Sequence, residues 1–196
     1  ILIWDFDGVI MDSMQIRTDS FKKALSFLEN DLLDEFIDFH LTNGGLSRYK
    51  KLMFLEKKQG FKFTASKKKE ILLNYSSYCL EKIIDNKPFI DKSIDFIMKN
   101  NHLQYIASGS DENELKFICK NLDIDKYFVS ILGSPKPKNE IVGDIKSKHK
   151  NSTIYMIGDS INDLEAAINN DIFFIPCNYL GKSLDDSKKL SQEWFL

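Results

Sequence analysis

The chain has 196 residues, enough for one α/β core with room for an inserted module, and its 43% hydrophobic and 29% charged content is ordinary for a globular protein. A net charge of −2 and a pI near 6.0 give no support for a nucleic-acid partner. No apolar stretch has membrane-spanning length, so we expect no membrane partner. The sequence opens on a strand rather than a secretory signal, and the three cysteines lack metal-ligand spacing. We therefore expect a cytoplasmic protein with reduced cysteines.

The first predicted element is a short buried strand over residues 1–4, which is followed at once by two acids. Asp5 and Asp7 lie one residue apart, and Gly8 follows where the backbone must turn. Carboxylates at the end of a buried strand are costly unless a cation or a reaction requires them. A simple Asx-type turn is the alternative, but it does not account for three further matching segments downstream.

Four helices are predicted next, with no strand between them, which indicates a small helical bundle. They are expected at about 14–29, 31–41, 46–58 and 66–84. Asp12 or Ser13 can cap the first helix.

After Pro88 the pattern changes to regular alternation of helix and strand. The helices are expected at 90–100, 112–121, 139–148 and 161–169, and the strands at 103–108, 127–132, 153–157 and 172–176. This alternation predicts an α/β fold with a doubly wound parallel sheet. The opening strand joins that sheet, so residues 1–13 and 87–196 are predicted to form the core and residues 14–86 an inserted α-helical domain.

Polar residues follow three later strands of the predicted sheet. Ser108 and Gly109 end one strand, Lys136 and Lys138 precede a helix, and a segment GDSIND carries two further acids. Those acids are Asp159 and Asp163. A capping role explains one of them, but it leaves Asp163, one turn into the helix, without a purpose, so a metal site is the preferred interpretation.

These segments together resemble the haloacid dehalogenase superfamily, whose members are mostly Mg²⁺-dependent phosphatases and phosphomutases. DFDGVIMDS is similar to its first motif, LQYIASGS to the second, GSPKPKNEIV to the third and TIYMIGDSINDLEAA to the fourth. The layout is closest to the β-phosphoglucomutase and phosphoglycolate phosphatase branch. The resemblance implies a Rossmann-like core with an α-helical cap between the first and second motifs.

The resemblance also implies roles for the acids. Asp5 would be the nucleophile that forms an aspartyl-phosphate, and Asp7 the general acid and then base. One carboxylate must then be ionised while the other is protonated, and neighbouring like charges are expected to separate their pKa values in that direction. Mg²⁺ would be held by Asp5, the backbone carbonyl of Asp7 and Asp159, with Asp163 acting through water or from behind these ligands.

Other candidate residues follow from the same resemblance. Ser108 and the N–H groups near Gly109 would hold phosphate oxygens. Lys138 is preferred as the motif lysine that neutralises Asp5 and the phosphate, with Lys136 as the alternative. The segment NGGLSRYKKL resembles a cap segment that presents an arginine to the distal anionic group of a substrate, which makes Arg48 a candidate substrate-binding residue.

The function predicted from these observations is a Mg²⁺-dependent phosphatase acting on a small phosphorylated metabolite, a sugar phosphate or sugar-acid phosphate. A phosphomutase of the β-phosphoglucomutase type is the first alternative, and an idle domain that binds a phosphorylated ligand the second. A true haloacid dehalogenase or a phosphonatase is disfavoured because the second acid, Asp7, is present. The protein is expected to be a monomer or a homodimer, since Trp194 and Phe195 in the tail can dock or form a contact between copies.

Overall fold

The structure is a computed structural model that describes residues 1–177, so the tail with Trp194 and Phe195 lies outside the described residues. The strands are β1 (Leu2–Trp4), β2 (Gln104–Asp111), β3 (Ser130–Ser134), β4 (Tyr155–Gly158) and β5 (Phe173–Pro176). The helices are α1 (Met14–Ala24), α2 (Asn30–Thr42), α3 (Arg48–Gln59), α4 (Ala65–Asn86), α5 (Asp91–Lys99), α6 (Glu112–Asn121), α7 (Lys138–Lys148) and α8 (Ile161–Asn169).

The five strands form one parallel sheet in the order β3-β2-β1-β4-β5, which confirms the predicted doubly wound α/β fold. β1 lies in the centre, where Trp4 pairs with Ile106 on one side and Ile157 on the other. From β1, the sheet continues through β2 to β3 on one side and through β4 to β5 on the other. In open α/β folds, ligands bind at the carboxyl edge of the sheet where the strand order reverses in this way.

Successive residues of the central strands pack on opposite faces of the sheet, as the two-residue period of a strand requires. Leu2 and Trp4 lie on one face in a cluster with residues of α5 and α6, whereas Ile3 lies on the other with residues of α7 and α8. Because helices cover both faces, the strand is apolar throughout rather than alternating.

The four helices inserted after β1 have an apolar cluster of their own, formed by α1 to α4, and are called the cap helices below. Phe21, Phe36 and Tyr75 are buried at its centre. The two segments that join these helices to the sheet run side by side, since Asp12 N–H donates to the Pro88 carbonyl over 2.8 Å. The predicted division into core and cap domains is consistent with this arrangement and stays a prediction.

The loop between α2 and α3 rests directly on the carboxyl edge of the sheet. A Cβ atom on Gly109 would lie 2.3 Å from the carbonyl oxygen of Gly45, and a Cβ atom on Gly45 would lie 2.7 Å from Ser160 Oγ. These distances are shorter than real Cβ contacts, so glycine at both positions allows the cap helices to close on the sheet.

Several predicted boundaries differ from the structure. α1 ends at Ala24 instead of residue 29, because residues 25–28 form a tight turn before α2 begins. β2 runs beyond Ser108 to Asp111, with a register shift against β3 that re-aims the strand end. β3 begins at Ser130 instead of residue 127, because a single 3₁₀ turn occupies residues 125–127. Ser13 occupies the N-cap position of α1 without a capping hydrogen bond.

No helix in the described part of the chain combines the length and the apolar character needed to cross a membrane. Cytoplasmic location and the oligomeric state stay predictions.

Replacing Gly109 by alanine is expected to loosen the contact between the cap helices and the sheet, because the new Cβ would collide with backbone that cannot yield alone. We expect amide hydrogen exchange of residues 43–47 to become about tenfold faster, which mass spectrometry can measure. Gly44→Ala is the matched control, since its Cβ would meet only Met14 Cε at an ordinary 3.6 Å. Equal exchange in the two variants would contradict the expectation.

Candidate active site

Three carboxylates converge where β1 and β4 end. Asp5 follows β1, Asp159 follows β4, and Asp163 lies in the first turn of α8. One carboxylate oxygen of each lies within 4.8 Å of the others, and Asp5 and Asp163 are buried. Gly8 permits this approach, because its φ is +83° and a Cβ there would fall 2.1 Å from Asp159 Oδ2.

Lys138, the first residue of α7, neutralises part of this acidic cluster. Its buried ammonium lies 2.9 Å from Asp5 Oδ1 and also donates to Asp163 Oδ1. Burial lowers the pKa of Lys138, but the two carboxylates outweigh it and raise the pKa above its ordinary value. Lys136 instead pairs with Asp144 on the surface, so the geometry favours Lys138 as the motif lysine.

Asp163 has a structural role as well. Ser160 is the N-cap of α8 and forms a capping box with Asp163, whose Oδ2 accepts from the Ser160 N–H over 3.0 Å and from its hydroxyl over 2.6 Å. Asp163 therefore takes part in capping α8, contrary to the expectation from the sequence. Both of its oxygens are engaged by protein groups, which places Asp163 behind the other two carboxylates.

Asp7 has a different environment from Asp5. Its Oδ1 accepts from Arg17 Nε over 3.0 Å and from the Ser13 hydroxyl, and its Oδ2 accepts from the Ser110 hydroxyl over 2.5 Å. Ser13 is thus used to orient Asp7 rather than to cap α1. Neither Asp12 nor Ser13 makes the capping contact that the sequence predicted, because the Ser13 hydroxyl points to the carboxylate.

The pKa values of the two motif aspartates shift in opposite directions. Burial and Asp163 raise the pKa of Asp5 well above its usual range against the opposing effect of Lys138. Burial also acts to raise the pKa of Asp7, but the Arg17 charge and the hydrogen bonds from Ser110, Ser13 and Arg17 lower it below its usual value. These shifts, which the protein groups produce without a metal ion, raise the pKa of Asp5 and lower that of Asp7 because the acids crowd around Asp5 and the arginine lies at Asp7. The roles of nucleophile for Asp5 and general acid for Asp7 stay a prediction.

A cavity of about 210 Å³ lies between this edge of the sheet and the cap helices. The sheet contributes an acidic and hydroxyl-bearing floor, and the cap helices contribute cationic side chains. Its polar lining includes Asp5, Asp7, Ser108, Ser110, Asp159 and Ser160 from the core and Arg17, His40, Arg48 and Lys51 from the cap helices. Gly109 also lines it, so the predicted phosphate-binding residues Ser108 and Gly109 lie beside Asp5 and Asp7.

Arg48 lines the cavity, but its guanidinium is already engaged. Nη2 donates to Glu114 Oε2 over 2.8 Å, Nη1 donates to Ser76 Oγ over 2.5 Å, and the group lies 4.9 Å from the centre of the Tyr75 ring. Glu114, on α6, also binds Arg17. Arg48 therefore holds the cap helices to the core through Glu114, and a role in substrate binding stays a prediction.

Sequence reasoning missed several residues of this cavity. Arg17 lies four residues before Phe21 on the buried face of α1, and Lys51 lies between buried Arg48 and Leu52 on α3. A cationic residue on the apolar face of an amphipathic helix is the signal that could have found both. Ser110 has no such sequence signal. Its hydroxyl contacts Asp7 at the end of β2, where the register against β3 shifts.

The acidic cluster fits a magnesium ion. Mg²⁺ prefers carboxylate and carbonyl oxygens and keeps several waters. Asp5 Oδ1 is buried, and the one cation beside it among the described residues is Lys138, whose ammonium is shared with Asp163. Burial and Asp163 raise the pKa of Asp159 to about 6 against the effect of Lys138, so the cluster is electrostatically under-compensated by the described side chains. A divalent cation bound by these carboxylates would compensate their charge.

Solved structures support the fold. A hydrolase from Pseudomonas syringae has a TM-score of 0.72 at 18% identity, over 96% of this chain and 89% of its own. A predicted phosphatase from Clostridium acetobutylicum has a TM-score of 0.71 at 18% identity, over 96% and 88%. β-Phosphoglucomutase from Clostridium difficile has a TM-score of 0.66 at 17% identity, over 98% and 97%.

A comparison with curated protein sequences finds no match. The family profile of the haloacid dehalogenase-like hydrolases, however, matches residues 1–171, which include all four motif segments and the cap helices. The predicted resemblance is confirmed, and the chain belongs to the haloacid dehalogenase-like hydrolase family.

Proposed function

We propose that the protein is a Mg²⁺-dependent phosphatase that hydrolyses a small phosphorylated metabolite, a sugar phosphate or sugar-acid phosphate, through an aspartyl-phosphate. The observation that carries the proposal is the convergence of Asp5, Asp7, Lys138 and Asp159 at one end of the sheet, in and beside the cavity under the cap helices. Membership of the hydrolase family and the similarity to phosphatase folds support it.

Asp5, Asp159 and the carbonyl of Asp7 would hold the metal, with Asp163 orienting the site from behind. When bound, Mg²⁺ supplies positive charge that neutralises the acids and the phosphate oxygens. Lys138 lies 2.9 Å from Asp5 and keeps that carboxylate in place, so its ammonium also reaches the phosphoryl group that Asp5 attacks.

In the first half of the reaction, an Asp5 oxygen forms a bond to phosphorus and the bond to the leaving oxygen breaks. The leaving oxygen takes a proton from Asp7. Because Arg17, Ser13 and Ser110 favour the ionised form of Asp7, that proton must arrive with the substrate. A phosphate monoester has a second pKa near 6 and can bring it.

In the second half, ionised Asp7 takes a proton from a water molecule, and the oxygen of that water attacks phosphorus. The bond between phosphorus and the Asp5 oxygen then breaks, which releases phosphate and restores Asp5. The contacts that lower the pKa of Asp7 favour the form that this step needs. Ser108, Ser110 and Gly109 lie where the phosphate oxygens would be held, since all line the cavity beside Asp5 and Asp7.

A phosphomutase of the β-phosphoglucomutase type is the second candidate, because that enzyme shares the fold along nearly the full length of both chains. It would use the same intermediate but return the phosphoryl group to another hydroxyl. Release of phosphate separates the two activities from each other.

Asp5→Asn is expected to reduce turnover about a thousandfold or more, because an amide cannot form the aspartyl-phosphate. Purified protein with Mg²⁺ would be assayed for phosphate release against phosphorylated sugars, sugar acids and other small metabolites. Release from a narrow subset that is lost in Asp5→Asn supports a phosphatase. Isomerisation of a sugar phosphate without phosphate release would show the phosphomutase, and binding without any turnover would show an idle domain.

Lys138→Met is expected to lower kcat about a hundredfold or more, because the ammonium that contacts Asp5 is lost. Lys136→Met is the matched control two residues away, where the side chain pairs only with surface Asp144, and it is expected to retain activity. Thermal denaturation of both variants would separate unfolding from a catalytic loss. A larger loss in Lys136→Met would assign the motif lysine to that position instead.

Asp159→Asn is expected to stabilise the protein in the absence of divalent ions. Its raised pKa means that the folded state binds a proton more tightly than the unfolded state, so ionisation costs stability as the pH rises from about 4 to about 6. At pH 7.5 we expect a gain of about 1–2 kcal/mol, or about 3–6 °C in Tm.

Calorimetry with and without Mg²⁺ tests this expectation. Mg²⁺ should raise the Tm of the unmodified protein and have little effect on Asp159→Asn. Asp144→Asn, which removes an exposed acid far from the cluster, is the control and should keep the Mg²⁺ response. An equal Mg²⁺ response in both variants would argue against the site.

A further inference from the structure

Lys51 is a buried cation without a counter-ion in the described structure. Its side chain is on the buried face of α3 with 3% exposure, and no carboxylate of the described residues lies within 4 Å of Nζ. The other buried cations, Arg17, Arg48 and Lys138, all pair with carboxylates. Burying an ammonium without compensation is costly, so its presence calls for a partner.

A chain of hydrogen bonds fixes the position of Lys51. The Thr18 hydroxyl donates to the Met14 carbonyl over 2.9 Å, so its oxygen is left to accept from His40 Nε2, 3.1 Å away. His40 Nδ1 is then the acceptor, and it lies 2.7 Å from Lys51 Nζ. The other two protons of Nζ meet the carbonyls of His40 and Gly44 at 3.5 and 3.4 Å, which is the long limit of a hydrogen bond. The amine is thus held in place by one short and two weak hydrogen bonds, and a negatively charged acceptor can replace the weak ones.

Arg17 offers an unused donor close to the same cavity. Its Nε binds Asp7 and its Nη1 binds Glu114, but Nη2 is buried without a hydrogen-bond acceptor among the described residues. The side chain is only 3% exposed, so an ordinary bulk-water partner does not explain this atom. Arg17 and Lys51 both line the cavity that contains Asp5 and Asp7.

We infer that Lys51 and the Nη2 group of Arg17 form a subsite that binds a second anionic group of the substrate, a carboxylate or a phosphate, while the first phosphate lies at Asp5. This subsite, rather than Arg48, selects the leaving group, because Glu114 and Ser76 already occupy the Arg48 guanidinium. The inference rests on the proposed phosphatase function and narrows its substrates to esters with an anion at both ends.

The electrostatics of the cavity agree with such a ligand. Burial lowers the pKa of Lys51 to about 7 in spite of the opposing charge of Asp7, and a bound anion would restore the ammonium. The acidic floor at Asp5 and the cationic wall at Lys51 then match the two ends of the ester, one through the metal and one directly.

Matched esters test the subsite without any mutation. The pairs are 2-phosphoglycolate with 2-hydroxyethyl phosphate, 6-phosphogluconate with glucose 6-phosphate, and fructose 1,6-bisphosphate with fructose 6-phosphate. The anionic member of at least one pair is expected to have kcat/KM about 10- to 100-fold higher, mainly through KM. The first two pairs measure the preference for a second group that is a carboxylate, and the third pair measures the preference for a second phosphate. Equal kcat/KM within all three pairs would overturn the inference.

Lys51→Met should abolish that preference by raising KM for the anionic ester alone, whereas Lys50→Met, the exposed neighbour on the same helix, should keep it. A preference that survives in Lys51→Met would contradict the assignment. Calorimetric titration of Asp5→Asn with each pair measures Kd without turnover. If binding of the anionic ester depends on Lys51 but the unmodified protein does not hydrolyse it, the phosphatase proposal is wrong and the subsite stands. If the two esters of each pair bind equally well, the subsite is wrong.

Discussion

The crowding of three carboxylates around one buried ammonium is the constraint on which the rest of the site depends. Asp5, Asp159 and Asp163 approach within 4.8 Å, and Lys138 is the cation that contacts two of them. Such a cluster is unfavourable by itself, as the raised pKa values of Asp5 and Asp159 indicate. The fold tolerates it because the central position of β1 brings the strand ends together, and because a divalent cation fits the resulting donor set.

The cap helices bring the opposite charge to the same cavity. Arg17 and Arg48 both bind Glu114 of the core, so one carboxylate ties two cap helices to α6. The glycine contact between Gly45 and Gly109 allows the backbones to approach closely at the same edge. Closure of the cavity and orientation of Asp7 are thereby coupled through Arg17, which contacts both Asp7 and Glu114. Arg17 therefore contributes both to the contact between the cap helices and the core and to the orientation of Asp7, together with Arg48, Ser13 and Ser110.

The opposite pKa shifts of Asp5 and Asp7 show how environment divides two nearly adjacent residues. Asp5 faces other acids, whereas Asp7 faces an arginine and two hydroxyls. In the proposed reaction a cation at the acidic cluster favours ionised Asp5, and a proton carried by the substrate supplies Asp7. In that proposal, the metal and the substrate would set the starting protonation states together with the protein groups.

The sequence by itself determined the parallel sheet, the inserted helices and the acids at the strand ends, because hydrophobic period and motif order are local properties that one chain displays directly. It also favoured Lys138 over Lys136. Only the tertiary structure decided that Lys136 lies on the surface, that Ser13 and Ser110 orient Asp7, that Asp163 also caps α8, and that Arg48 is engaged by Glu114. These contacts join residues distant in sequence across packed layers, and the direction of a side chain in a closed cavity depends on neighbours that no local pattern specifies.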